Sequence, residues 1–257
     1  MSGRSAYDER RAMKSKLYGI PGSQNAAIAE AMLRHKAIPY TRRDLIPGAH
    51  RLLPVRLLGF PGTTVPALKI DGWRVLGTRP IARALDEQQP EPALFPADPD
   101  MRRRVEDGER FGEEVMQQFP RHILWLAFKR NPAAAKSFLA DARLGFPTQL
   151  AVPAIGPVIS LMCRLNNATD ATARADLPRI ATALDHVDQL IADSTIGNEL
   201  PNAADFQLGA QVRMLMCLDD LRPLVERRPC TKLAMALYPA QPGRVPPVLS
   251  DDERALL

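Results

Sequence analysis

Short apolar runs broken by Pro-Gly and Asp-Gly fill the first third of this chain, and longer stretches with helical spacing fill the rest. Lys16 to about Ile20 reads as a strand that ends at Pro21-Gly22. Gln24 to Lys36 is rich in strong helix formers, and Ile28, Met32 and Leu33 recur at the spacing of one buried helical face. Pro39 to Asp44 is a second strand, and His50 to Leu58 a short helix interrupted by Pro54. Thr64 to Ile70 and Trp73 to Leu76 flank Asp71-Gly72, a hairpin signal. A helix from Thr78 to about Gln88 closes the series, with Thr78 suited to the N-cap and Pro80 tolerated in the first turn.

Four prolines lie between Pro90 and Pro99, which marks a linker. From Asp100 onward no strand is predicted. The helical stretches are Met101 to about Lys129 with a kink expected at Pro120, Pro132 to Arg143, Ala171 to Asp193, Ala203 to Cys217 and Cys230 to Tyr238. The order predicts an α/β domain over 16–89, with a mixed sheet made of a parallel pair plus an antiparallel hairpin, and an all-helical domain over 100–257. Residues 1–15 read as a disordered lead-in and 90–99 as the Pro-rich linker.

Pro66 is unusual at the head of an apolar strand, because proline cannot donate to a sheet ladder. The Val65-Pro66 bond is a candidate for the cis isomer. Such a turn leaves the backbone of Val65 available to a ligand rather than to the sheet.

Composition narrows the class. Hydrophobic residues make up 46% of the 257 positions and charged residues 25%, the balance of a soluble globular protein. The net charge of +5 permits weak attraction to polyanions, but the basic residues are scattered and aromatics amount to 5%, so a nucleic-acid partner is not expected. No secretory pattern opens the chain, and the widely spaced Cys163, Cys217 and Cys230 fit reduced thiols in a cytoplasm. His35, His50, His122 and His186 are isolated, so no metal is expected. Leu144 to Cys163 carries no charge over a length that spans a bilayer, yet holds three prolines and two glycines. It reads as a kinked, buried helical segment or the wall of an apolar pocket, with membrane contact the minor alternative.

Taken in order, these motifs resemble the glutathione transferase superfamily, whose members pair a thioredoxin-like domain with a helical one. Lys16-Leu17-Tyr18 with Pro21-Gly22 is similar to the family's first strand and loop. Lys36-Ala37-Ile38-Pro39-Tyr40 is similar to its "K-G-I-P-Y", Val65-Pro66-Ala67-Leu68 to its "V-P-x-L", and Thr78-x-x-Ile81 to its "E/Q-S-x-A-I" element. Asn202-Ala203-Ala204-Asp205, with Gly197 upstream, resembles the family's capping box in the helical domain. The resemblance covers about Lys16 to Leu237. It implies a thioredoxin-like, mixed four-stranded sheet domain followed by an all-α domain. It also implies a homodimer, and glutathione as co-substrate without a further cofactor.

By the same resemblance Ser23 takes the catalytic serine position, and Ser23-Gln24 is similar to the theta-class Ser-Gln pair. A hydroxyl at a helix N-terminus can donate to a thiolate and lower the thiol's pKa. A plain N-cap role for Ser23 stands beside that reading. Val65 and Pro66 would present backbone to the cysteinyl part of glutathione, and Thr78 at its helix N-terminus would hold the γ-glutamyl carboxylate. Asn202 and Asp205 read as structural caps. Arg42, Arg43, His50 and Arg51 are candidates for the glycyl carboxylate, with solvated surface as the other reading. The acceptor pocket is expected against Phe111, Val115, Phe119 and the 144–163 segment.

The chain also departs from the family. Gly77 stands where Glu or Gln is usual, and Glu30 where many members carry arginine on the first helix. Losing one charge-assisted contact costs about 1.5–3 kcal/mol of binding. Two functions therefore follow: conjugation of a thiol to a hydrophobic electrophile, as in detoxification, or a binding module of the same fold without thiol activation.

Overall fold

The structure, a computed structural model, describes residues 15–49, 54–240 and 243–257. The expected lead-in, apart from Ser15, and the candidates His50 and Arg51 lie outside the described residues.

Four strands form one sheet in the order β2-β1-β3-β4: β1 (Ser15–Gly19), β2 (Tyr40–Asp44), β3 (Ala67–Ile70) and β4 (Trp73–Leu76). β1 and β2 are parallel, with Leu17 opposite Arg42, across the helix α1 (Gln24–His35). β3 runs antiparallel to both β1 and β4, so the hairpin completes the mixed sheet that the sequence predicts. Side chains alternate between its faces. Leu17, Leu68 and Ile70 enter the main core, whereas Tyr18 and Ala67 join Val55 and Phe60 in a small cluster on the other side. Of the helix expected at 50–58, residues 50–53 lie outside the described residues and the rest contains α2 (Pro54–Leu57); the strand expected from Thr64 begins only at Ala67, after the proline.

The helix α3 (Thr78–Gln88) follows at once, but its N-cap is Gly77, not Thr78. Gly77 has φ +85° and ψ 156°, a region open essentially to glycine alone. Its N–H donates to the Pro66 carbonyl at 2.9 Å and its carbonyl accepts from Ile81 at 3.2 Å. The turn between β4 and α3 is thus tied to the residue that precedes β3.

Past the linker come α4 (Pro99–Phe111), a π-turn over Gly112–Met116 and α5 (Gln118–Arg130). The break expected at Pro120 is therefore displaced to the π-turn. Pro120 occupies the first turn of α5, where a missing N–H costs no intrahelical bond. Two 3₁₀ stretches, Pro132–Leu139 and Thr148–Ala154, lead to α6 (Ile155–Leu165), and α7 (Asp170–Ala192) runs back along α5.

The helix α8 (Ala203–Leu215) is buried at every residue and packs on α1, α4 and α10 (Pro229–Leu237). The short helices α9 (Arg222–Glu226) and α11 (Asp251–Arg254) complete the chain. At the start of α8, the Asn202 side chain accepts from Ala204 and Asp205, and the Asp205 carboxylate accepts from Asn202 at 2.9 Å and from Gly197 at 2.6 Å. The capping box read from the sequence is formed. Burial pushes the Asp205 carboxyl up to about 6 even against those two donors. One hydrophobic core runs from Leu17 and Ile28 through Leu208 to Leu249, so sheet and helical regions share it.

The uncharged segment is helical as expected, but it is not buried. Only 17% of the Thr148–Leu165 stretch lies inside the fold, and its mean hydropathy of 1.3 is long and apolar enough, by composition, for a bilayer. One face rests on α5 while Leu150 and Leu165 stay exposed. It does form a pocket wall, enclosing with Trp125, Phe128 and Phe138 an apolar chamber of about 160 Å³.

Candidate active site

Ser23 ends the β1–α1 loop with extended backbone (φ −77°, ψ 121°), and its Oγ accepts from the Ala26 N–H at 3.3 Å. The cap uses the oxygen as acceptor only and leaves the hydroxyl hydrogen to donate elsewhere. The two sequence readings of Ser23 are compatible in this geometry.

Val65 and Thr78 lie across from it, and the three residues share one cleft of about 260 Å³. The Val65-Pro66 peptide is cis. Among the described residues no backbone hydrogen bond engages Val65. Thr78 is buried as the first residue of α3, and no side chain caps that helix. With Pro80 third, its first-turn amides face the cleft without an internal acceptor. Two helix N-termini therefore converge on one space, a setting that favours negative charge.

The wall opposite comes from the π-turn and α5. Glu113, Gln117, Arg121 and Leu124 face the cleft. Oriented to satisfy its neighbours, the Gln117 amide oxygen accepts from Arg121 at 2.6 Å and from the Asn25 amide, joining α5 to the first turn of α1. Glu113 sits 3.5 Å from Arg79. Behind it, Glu109 is buried against Arg83 at 2.7 Å and Arg79 at 3.4 Å, and burial nonetheless raises its carboxyl above the ordinary value. Sequence reading missed Asn25, Gln117 and Arg121. The spacing of Gln117 and Arg121 marks a shared helical face, but nothing local shows which face meets the loop.

The other candidates are placed elsewhere. Phe119 lies in the core, Phe111 packs edge-on against His186 at 4.4 Å, and Val115 is half-buried against the core. They occupy the faces that α4 and α5 turn inward, while the cleft takes the opposite side of the same helical path. Arg42 is committed to Asp44 through two bonds of 2.9 Å and to Glu30 at 2.9 Å, and Arg43 is exposed beside Gly145. Burial alone lowers the Arg42 pKa, but the bonds to Asp44 and Glu30 outweigh it and raise the value. Glu30, bound also by the Tyr40 hydroxyl at 3.0 Å, is thus the partner of Arg42 and does not line this cleft.

Residues 17–93 match the family model of the glutathione S-transferase N-terminal domain. Over that stretch the chain is similar to the glutathione S-transferase family. No curated protein sequence matches it. Among solved structures, the transferase fold here is similar to β-etherase LigF from Sphingobium sp. strain SYK-6, at 18% identity, 90% coverage of this chain and 96% of that one, and a TM-score of 0.63. It is similar to a glutathione S-transferase from Methylobacterium radiotolerans JCM 2831 in complex with glutathione sulfonate (18% identity, 92% and 97% coverage, TM-score 0.56). FzlA from C. crescentus shares the fold at 16% identity, 95% and 99% coverage and a TM-score of 0.56. At these identities the transferase likeness is one of fold.

Proposed function

We propose that this protein activates the thiol of glutathione, or of a related small thiol, for attack on a hydrophobic electrophile. The observation that carries the reading is the convergence on one cleft of the Ser23 hydroxyl, the Val65 backbone, which is unpaired among the described residues, and the open N-terminus of α3. The Methylobacterium transferase of similar fold, which holds glutathione sulfonate, supports the choice of thiol.

In this mechanism the extended cysteinyl backbone of the thiol peptide pairs with Val65 in the manner of an added strand. The γ-glutamyl carboxylate meets the N–H groups of Thr78 and Arg79. Arg121, within the same cleft, serves the remaining carboxylate. Ser23 donates its hydroxyl hydrogen to the sulfur, and the N-terminus of α1 adds its positive end, so the thiol loses its proton at a lower pH. The thiolate then forms the carbon–sulfur bond as the electrophile's leaving group departs, or adds across a polarised double bond.

The acceptor binds beside Phe128, Phe138 and Trp125, where the cleft meets the apolar chamber under the 144–163 segment. Gly77 supplies no side chain to the thiol's amine, which favours a second reading: a transferase-fold binding module without turnover. Glutathione-dependent conjugation of a panel of aryl halides and enones separates the two. The enzyme reading requires turnover that Ser23→Ala removes; saturable glutathione binding without turnover supports the module. Absence of any thiol binding overturns the first reading.

A further inference from the structure

Between α5 and α7 the chain carries an apolar face that nothing among the described residues covers. Leu144 to Cys163 has no charged side chain, yet only 17% of the Thr148–Leu165 stretch lies inside the fold. α6 turns Ile159 and Cys163 into the core and packs on α5. Its other face sets Pro157, Leu161 and Leu165 at successive four-residue steps, all of them exposed, which makes one helical stripe. Leu150, 69% exposed, stands with the exposed Phe146 and Ile46 around the apolar chamber described above. Leu161 lies close over Gly48, two residues on from Ile46, so the stripe and the chamber meet at the loop after β2.

Charge at its borders says what covers it. Arg143 precedes the uncharged run and Arg164 follows it on α6, and both are exposed and free of ion pairs among the described residues. Arg43, also exposed, lies against Gly145. The nearest acidic residue in the chain is Asp141, and the run itself holds none. Apolar side chains bordered by arginines match an anionic lipid surface: the first enter the acyl boundary, and the second reach the headgroups. A bilayer span does not fit. The 11 residues of α6 reach about 16 Å, against about 30 Å of hydrocarbon, and one face of α6 is committed to α5. Behind Phe146 and Leu150 the chamber is walled by Trp125, Phe128 and Phe138, which also line the thiol cleft. The chamber thus stands between the exposed face and the cleft.

We propose that this face docks on the surface of an anionic phospholipid bilayer, with the rest of the molecule in water. Leu150, Phe146 and Leu161 enter the lipid boundary, while Arg143, Arg164 and Arg43 pair with lipid phosphates. Docked this way, the chamber faces the bilayer and admits a lipophilic acceptor directly from it. That delivery rests on the conjugation proposed above, whereas the docking itself requires no thiol.

The test is flotation of the full chain, without glutathione, on phosphatidylcholine vesicles with and without phosphatidylglycerol. Binding should be stronger to the anionic vesicles and should weaken as salt is raised. An arginine near an anionic surface contributes about fivefold in partitioning, so Arg143→Gln with Arg164→Gln should weaken that binding about tenfold or more. Leu150→Ser with Leu161→Ser should also weaken it about tenfold or more, by loss of apolar insertion. Thermal unfolding checks that each variant is folded; if the leucine pair is not, the far more exposed Leu150→Ser alone decides. No vesicle binding, binding that the folded variants leave unchanged, or self-association through Leu150 and Leu161 in place of vesicle binding overturns the proposal. Conjugation by the front cleft is assayed in solution without lipid, so failure of either reading leaves the other standing.

Discussion

At the residue scale, Ser23 carries two duties that separate in measurement. Its oxygen caps α1 through Ala26, while its hydrogen is available to a thiolate. Replacing a serine cap by alanine costs about 0.5–2 kcal/mol of stability. Removing a donor aimed at developing negative charge typically costs about 10²–10³ in rate. Ser23→Ala should therefore lower stability by about 1 kcal/mol in urea titration and lower any glutathione-dependent turnover by about 10²-fold. A variant with the stability loss but full turnover would assign Ser23 to capping alone. Gly77 illustrates the opposite case. Its departure from the family's Glu or Gln reads from the sequence as a lost contact, but the positive φ at that position calls for glycine on backbone grounds.

At the element scale, the long helical path of α4 and α5 is reset by a π-turn where it crosses α8. Gly112 permits that crossing, since a Cβ there would stand 2.5 Å from Cγ of the buried Gln207. Overpacking of this kind costs about 1–3 kcal/mol. Gly112→Ala should lose that amount, and Gly112→Ala with Gln207→Ala should recover most of it, read by thermal unfolding.

The terminal helix α11 offers a pH-dependent test. Arg130 donates to both oxygens of Glu253 at 2.7 Å, and these bonds hold the carboxyl down to about 2 from an ordinary 4.5. A carboxylate held below its unfolded value stabilises the fold fully above pH 4.5, and the contribution disappears as pH falls toward 2. Glu253→Gln should therefore melt below the natural protein at neutral pH. The gap should close between pH 4.5 and 2, and a constant gap would refute the assignment.

On the scale of the whole molecule, the sheet region and the linker are joined through Lys36. Its side chain is fully buried, 2.6 Å from the Asp86 carboxylate and from the Gln89 carbonyl, and 2.9 Å from the Pro92 carbonyl. Asp86 in turn accepts from the backbone of Leu94 and Phe95. One lysine thus gathers the ends of α1 and α3 and the chain that leads into α4. Removing one member of a buried charge pair costs about 3–5 kcal/mol, because the other is left uncompensated. Lys36→Met should destabilise the protein by about 3 kcal/mol in denaturant titration, with Asp86 at the edge of solvent moderating the loss.

Much of this arrangement was legible in the chain itself, wherever a feature is local. The two strand periods, the Asp-Gly hairpin, the helix from Gln24, the cis bond before Ala67 and the box at Asn202 and Asp205 each depend on residues a few positions apart. Backbone preferences, capping and side-chain alternation act over that range, so sequence order suffices to read them. Which face of a helix meets which loop is decided only when helices pack. That is why the inward Phe111 and Phe119 look like pocket residues in the sequence, while Gln117 and Arg121 line the cleft. It is also why Arg42 turns to Glu30. Such pairings join residues up to more than a hundred positions apart, and only the tertiary structure brings their charges and surfaces to one place.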